Sequence, residues 1–277
     1  MKSRPHVRSS GEGPRVVLLH SSGSSGRQWE TLVHGVQDRF RLQAIDLHGH
    51  GGTPAWLGEH ALRLEDDAAL VEPLLQAPGA VHLVGHSYGG ALALKLAAMH
   101  PERVSSVVVF EPVLFRLLLD YSPRDASSTK VRVAAASIGH WLELGHVERS
   151  AERFVDFWSG AGSWASLPAS HRQVIAARMP SIVAHFRALF ADAMTRDTLS
   201  ALHMPMLVLT GEKTRSTTRR LGELLRCWMP QATHQALTGM GHMGPMTHPT
   251  QVASRIAGFL DAQVMLGSGN DLLLEAA

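Results

Sequence analysis

The chain has 277 residues, of which 45% are hydrophobic and 18% charged, an ordinary globular composition with ample chain for a large buried core. Its 26 basic and 24 acidic residues are interleaved and leave a formal charge of +2, so nothing in the charge pattern points to a nucleic-acid surface. A single cysteine, Cys227, excludes an intrachain disulfide framework.

No unbroken run approaches 18 apolar residues, and residues 1–15 are polar and basic without the apolar stretch of a signal peptide. The expectation is a cytoplasmic protein with no membrane insertion. The 17 histidines show no metal-ligand spacing, so no metal is expected.

In chain order, residues 1–15 form a ragged lead-in with room for an edge strand. Val16-Val17-Leu18-Leu19 reads as a buried strand and runs into His20-Ser21-Ser22-Gly23-Ser24-Ser25-Gly26. A loop of such small residues lets the backbone approach a ligand and turn N–H groups toward it. Residues 29–39 are helical in pattern. Residues 42–47 form the next strand, which ends in the glycine-rich turn His48-Gly49-His50-Gly51-Gly52. Two histidines so placed on a glycine loop, with no third ligand nearby, point to a loop role. A helix follows over residues 64–75, with Glu65, Asp66 and Asp67 in its first turn, where carboxylates complement the helix dipole.

The densest signal is Val81-His82-Leu83-Val84-Gly85-His86-Ser87-Tyr88-Gly89-Gly90. An apolar strand ends in Gly-x-Ser-x-Gly, and an Ala/Leu-rich helical pattern, residues 89–99, follows at once. Gly-x-Ser-x-Gly arises by chance in glycine-rich chains. The strand before it and the helix after it make it a nucleophile elbow, with Ser87 held out at a strained apex and the positive end of a helix dipole behind it.

His100-Pro101 stops that helix. The β-branched strand 104–110 ends in Glu111-Pro112. Strands alternating with helices imply a parallel sheet, with ligands at the carboxyl ends of the strands. Ser87 and Glu111 both fall at such ends.

From Leu114 to about Ala201 the strand pattern stops. Helices are predicted over residues 130–145, 147–159, 168–179 and 181–194, the last two separated at Met179-Pro180. The aromatics there are dense: Phe115, Tyr121, Trp141, Phe154, Phe157, Trp158, Trp164, Phe186 and Phe190. A helical insertion over the active end of the sheet would cap it and line an apolar pocket with a minority of those rings. A strand over 205–210, a helix over 216–228, a short strand at 233–237 and a helix over 249–263 complete the pattern. Cys227, in Leu224-Leu225-Arg226-Cys227-Trp228, reads as a packed helical cysteine. Residues 264–277 form a tail, either disordered or docked as a short helix. His242 sits in the glycine-rich loop Gly239-Met240-Gly241-His242-Met243-Gly244, free to reach a site.

Over roughly residues 14–262 the chain resembles the α/β-hydrolase superfamily. The match is carried by Leu18-Leu19-His20, Asp46-Leu47-His48-Gly49-His50-Gly51, Gly85-His86-Ser87-Tyr88-Gly89-Gly90, Leu207-Val208-Leu209-Thr210-Gly211-Glu212 and Gly241-His242, in the order Ser, acid, His. The resemblance implies a mostly parallel sheet of about eight strands with a helical cap after the sixth. The core would be residues 1–113 and 202–263, the cap residues 114–201.

It further implies that Ser87 is the nucleophile and His242 the general base, with oxyanion N–H groups from Tyr88 and Ser22. The family's usual aspartate is replaced by Thr214 in Gly211-Glu212-Lys213-Thr214. Three readings of the acid stay open: Glu111 at the end of the preceding core strand, as in certain haloalkane dehalogenases; Glu212; or a Ser–His dyad with no acid. The implied activity is hydrolysis of carboxylic esters of small to medium apolar substrates through an acyl-enzyme, with a small-molecule ester as partner and no metal or organic cofactor needed. Carbon–carbon bond hydrolases and cofactor-free haloperoxidases use the same constellation, and a non-catalytic ligand-binding member would keep the pocket without the chemistry.

Overall fold

Strand β4, Val81–His86, is buried at every position and takes the middle of the sheet. A computed structural model describes residues 4–274. Among them seven strands pair in the order β1-β3-β2-β4-β5-β6-β7: β1 Val7–Ser10, β2 Arg15–Leu19, β3 Arg41–Ile45, β4, β5 Val104–Phe110, β6 Met206–Gly211 and β7 Thr233–Leu237. Every pairing is parallel except that of β1 with β3. This is the expected fold class with one strand fewer than the eight anticipated: ahead of β2 a single short antiparallel edge strand pairs with β3.

The helices are α1 Glu30–Val36, α2 Leu64–Leu75, α3 Tyr88–Met99, α4 Phe115–Tyr121, α5 Ala126–Glu143, α6 Val147–Ser159, α7 Ser163–Ser166, α8 Ala169–Ala191, α9 Arg196–Ser200, α10 Ser216–Trp228, α11 Gly244–Thr247 and α12 Pro249–Leu274. The sheet has a core on each face. One gathers Trp29, Leu32 and Val36 with Val252, Ile256 and Leu260 against Val16, Leu18, Val84 and Val108. The other gathers α2, α3 and α10 side chains against Val17, Leu83, Val107 and Val109, and continues into the helices between β5 and β6. Strands buried on both faces have no polar alternation, which is why they are continuous Val/Leu runs.

Three local differences from the sequence reading have physical causes. Met179-Pro180 does not end a helix; α8 runs through it. Proline removes one helical hydrogen bond, but Met179 and Ile182 on either side are fully buried, and that packing holds the helix together. Cys227 is exposed, not packed. Leu221, Leu224, Leu225 and Trp228 form the buried stripe of α10, and Cys227 lies off it beside the exposed Arg226. Residues 264–274 form neither a disordered segment nor a separate short helix but continue α12 as far as Leu274, and residues 275–277 lie outside the described residues.

Although no unbroken run of 18 apolar residues exists, α8 is long and apolar enough to cross a membrane by length and composition. Its Met179, Ile182, Val183, Phe186 and Leu189 are buried among the other helices of the insertion.

Candidate active site

Strand register brings the site together. His86 on β4 pairs with Phe110 on β5, so the next residues, Ser87 and Glu111, lie level on adjacent strand ends. The ladder continues one step past both: Ser87 N–H donates to Phe110 O at 3.0 Å and Glu111 N–H to Leu209 O at 2.9 Å. Both residues have positive φ, 56° and 43°, and among the described residues no other non-glycine does. Such backbone costs on the order of 1–3 kcal/mol per residue and persists only where its surroundings enforce it. At Ser87 they do so by close approach. A side chain on Gly85 would collide with the Gly89 carbonyl, and one on Gly89 with the Leu19 and His20 carbonyls.

The Ser87 hydroxyl meets His242 Nε2 at 2.9 Å, and His242 Nδ1 donates to Glu111 Oε2 at 2.8 Å. All three residues are buried, with Ser87 at 5%, His242 at 2% and Glu111 at 2% exposure. The carboxylate on Nδ1 leaves Nε2 as the acceptor facing the hydroxyl.

Burial by itself would raise the Glu111 pKa. Hydrogen bonds from His242, Thr214 Oγ1 (2.7 Å) and Gly211 N–H (2.7 Å) outweigh it and lower the pKa below the usual carboxylate value. Thr214, in the place of the usual aspartate, is therefore a donor to the Glu111 carboxylate itself, and its hydroxyl also meets Thr218 Oγ1 at 2.6 Å. Glu212 is exposed and accepts from Gly239 N–H at 3.1 Å, away from the imidazole.

The other predicted residues surround the hydroxyl. Tyr88 is the first residue of α3, so its N–H has no partner within the helix. On the Ser21–Gly26 loop, Ser21 N–H donates to Gln28 Oε1 and Gly23 N–H to His50 Nε2, and no protein acceptor takes Ser22 N–H among the described residues. Two free N–H groups beside a buried hydroxyl are the donors an oxyanion needs.

Several residues of the surroundings were not legible in the sequence. Trp158 of α6 stacks on the His242 ring, with centroids 3.9 Å apart and planes 20° apart. His86 Nε2 donates to the His242 carbonyl at 2.8 Å, and burial keeps His86 neutral. His185 of α8 meets the Ser22 hydroxyl at 2.8 Å and stacks on the Tyr88 ring at 3.7 Å. The Tyr88 hydroxyl donates to Asp67 at 2.7 Å. His185 lies 163 residues from Ser22, and no local pattern signals such a contact. The two histidines of the glycine-rich turn hold loops: His48 meets Asp67 Oδ1 through its backbone N–H at 3.1 Å and through Nδ1 at 2.7 Å, and His50 packs against His20. Burial lowers His20 to about 4 and His50 to about 3, so both are neutral. His50 ties its own loop to the Ser21–Gly26 loop by donating to His48 O and accepting from Gly23 N–H.

One space reaches the hydroxyl, and a second adjoins it. The inner one, about 20 Å³, is bounded by Ser87, His242, Phe115, Phe154, Trp158 and Phe186. Four of the nine aromatics of the insertion thus face it, and the other five hold the insertion together or lie at its surface. The outer one, about 310 Å³, shares Ser21, Ser22, Phe154, Trp158 and Met243 with the first.

This fold and constellation define a class of protein, and direct comparison gives its family. A family model described as alpha/beta hydrolase fold matches residues 14–249, and the chain belongs to that family. Among curated relatives, a pimeloyl-(acyl-carrier protein) methyl ester esterase of Aeromonas hydrophila is 29% identical over 90% of this chain and 96% of its own length. The protein of the same name in Vibrio campbellii is 31% identical over 76% of this chain and 80% of its own. Among solved structures, a thermophilic esterase from Thermogutta terrifontis superposes with a TM-score of 0.72 at 24% identity, over 94% of this chain and 93% of that one. An enol-lactonase from Burkholderia xenovorans gives 0.73 at 22%, over 94% and 97%. These two likenesses are of fold.

Proposed function

We propose that the protein is a serine hydrolase of carboxylic esters, with Ser87 as nucleophile, His242 as general base and Glu111 as the acid. The observation that carries this reading is the unbroken hydrogen-bonded line from Ser87 Oγ through the imidazole to the Glu111 carboxylate. His242 Nε2 takes the hydroxyl proton as Ser87 Oγ attacks the ester carbonyl. Tyr88 and Ser22 N–H groups hold the oxyanion, and the ionised Glu111 stabilises the imidazolium. The imidazolium then protonates the departing alkoxide, and a water repeats the sequence to release the acid. Trp158, flat against the imidazole, excludes bulk water from that proton path.

The sizes of the two spaces support a narrower substrate. About 20 Å³ beside the hydroxyl holds one water-sized or methyl-sized group. The outer space has the volume of a small-ligand pocket. The ester is one of a small alcohol, methanol foremost, with a longer acyl chain lying outward. The curated relatives named above are methyl ester esterases, which agrees with that division. Thr214 in place of the usual aspartate would favour a non-catalytic ligand binder if no other carboxylate served the imidazole; the Glu111 carboxylate 2.8 Å from Nδ1 speaks for the catalytic reading.

The test is hydrolysis of methyl, ethyl and butyl esters of one medium-chain acid by wild type and Ser87→Ala. Turnover that requires Ser87 and falls at least ~10-fold from methyl to butyl supports the reading, an overpacked pocket costing on the order of 1–3 kcal/mol. Equal rates across the three alcohols would remove the methyl preference. Turnover surviving in Ser87→Ala would remove the nucleophile.

A further inference from the structure

The outer space carries a charge that ester hydrolysis does not use. Its walls are mostly apolar, with Phe154, Val155, Leu167, Val174 and Met243 among them, and they contain no Asp or Glu. One guanidinium, that of Arg178 on α8, faces it. Arg178 is half-buried, and burial lowers its pKa, so its desolvation is incompletely compensated. Among the described residues it forms no ion pair. The carboxylate that attracts it, Asp46, is already engaged by Gly26 N–H, Gly52 N–H, His6 and Arg8.

The side chain is nevertheless held in place. Nη1 donates to Gly23 O at 2.7 Å and to Ser24 O at 3.0 Å, which uses both of its hydrogens on the loop that carries Ser22. The Nε and Nη2 hydrogens, three of the five donors, have no protein acceptor among the described residues. A pinned guanidinium with free donors in a fork, at the wall of an apolar space, is a preorganised receptor for a carboxylate. A neutral chain in the same space would leave the cation further desolvated and unpaired.

We infer that Arg178 binds a carboxylate at the far end of the acyl chain, so that the preferred substrate is the mono-ester of a dicarboxylic acid. This rests on the ester-hydrolase reading and adds to it the chemistry of the acyl group. The small alkoxy end enters the space at Ser87, the methylene chain lies along Phe154, Val155 and Met243, and the free acid meets the guanidinium.

The experiment compares monomethyl with dimethyl esters of the straight-chain dicarboxylic acids of five to eight carbons, using wild type, Arg178→Gln and Arg178→Lys. The expected result is a wild-type preference in kcat/KM for the mono-ester of ~10-fold or more, expressed in KM, as a charge-assisted contact gives. Arg178→Gln collapses that preference toward unity, and Arg178→Lys, which keeps the charge without the fork, retains part of it. A wild type indifferent to the free acid overturns the inference. So does an Arg178→Gln that lowers kcat on both esters in one proportion, because that is the signature of a loop clamp alone.

Calorimetry of the free dicarboxylates with folded Ser87→Ala, with and without Arg178→Gln, separates the two readings. If no ester is turned over while the diacids still bind only when Arg178 is present, the receptor stands and the ester-hydrolase reading falls. If esters are turned over and the diacids bind equally without Arg178, the receptor falls and the ester reading stands.

Discussion

The ends of β4 and β5 solve one backbone problem in two ways. Each presents a side chain at a strand end on positive φ, Ser87 at 56° and Glu111 at 43°. At β4 glycines stand two residues to either side, Gly85 and Gly89, because strand and helix pass too close for side chains. At β5 the same places hold Val109 and Val113, and the conformation is held by bonds: Glu111 N–H to Leu209 O, and its carboxylate to Gly211, Thr214 and His242. Steric necessity leaves a motif in the sequence, and a hydrogen-bond network spread over 131 positions does not.

The largest effect belongs to β4: Ser87→Ala removes turnover by on the order of 10⁴-fold or more and removes the mass increment from a fluorophosphonate label, with thermal stability unchanged. At β5 the network is expected to be partly transferable. Glu111→Gln combined with Thr214→Asp returns a carboxylate to the more usual position, and its kcat exceeds that of Glu111→Gln alone by ~10-fold or more, the acid supplying up to ~10⁴-fold in other triads. A double variant no better than the single one would mean that only the β5 strand end can present the acid.

A smaller effect tests the network around the acid. Thr214→Val deletes the 2.7 Å donor to Glu111 and lowers kcat ~10-fold, while Thr214→Ser restores it, a hydrogen bond to a charged group being worth about 1.5–3 kcal/mol. Failure of the serine variant to recover would assign the loss to packing.

The smallest difference is one of acid stability, and it falls mostly on the β4 side. His20 and His50 beside the Ser21–Gly26 loop are held neutral at about 4 and about 3, and His82 on β4 at about 4. Below the ordinary histidine value of about 6.5 the unfolded chain takes up protons that the folded chain refuses. That stability is therefore fully present above pH ~6.5 and is lost as pH falls toward ~4. The unfolding midpoint is expected to fall by on the order of 10 °C between pH 7.5 and 5, measured by scanning calorimetry. A flat profile would mean that these rings are charged or exposed.

The same contrast explains what the sequence makes legible. Strands 81–86, 104–110 and 233–237 and helices 64–75 and 216–228 appear at their expected bounds, because hydrophobic period, glycine and proline are local signals. Pro180 misleads for the converse reason: burial of Met179 and Ile182, a tertiary fact, overrides a local rule. Cys227 misleads because an apolar neighbourhood in sequence does not say which face of α10 is covered. Ser87 and His242 stand out in the chain because one sits in a strand–turn–helix motif and the other in a glycine-rich loop after the last strand, whereas Glu111 stays one of three readings there because Thr214 breaks the usual pattern. Trp158 on the imidazole and His185 on Ser22 cannot be named from the chain, since both depend on how the inserted helices settle over the sheet.

The central claim, that a carboxylate at the end of β5 serves His242, is tested most directly by p-nitrophenyl butyrate hydrolysis with wild type, Glu111→Gln and Glu212→Gln, each verified as folded. The account predicts a fall of ~10²- to 10⁴-fold in kcat for Glu111→Gln and a rate within ~2-fold of wild type for Glu212→Gln. A Glu111→Gln enzyme within a few-fold of wild type, or a Glu212→Gln enzyme that is dead, would contradict it.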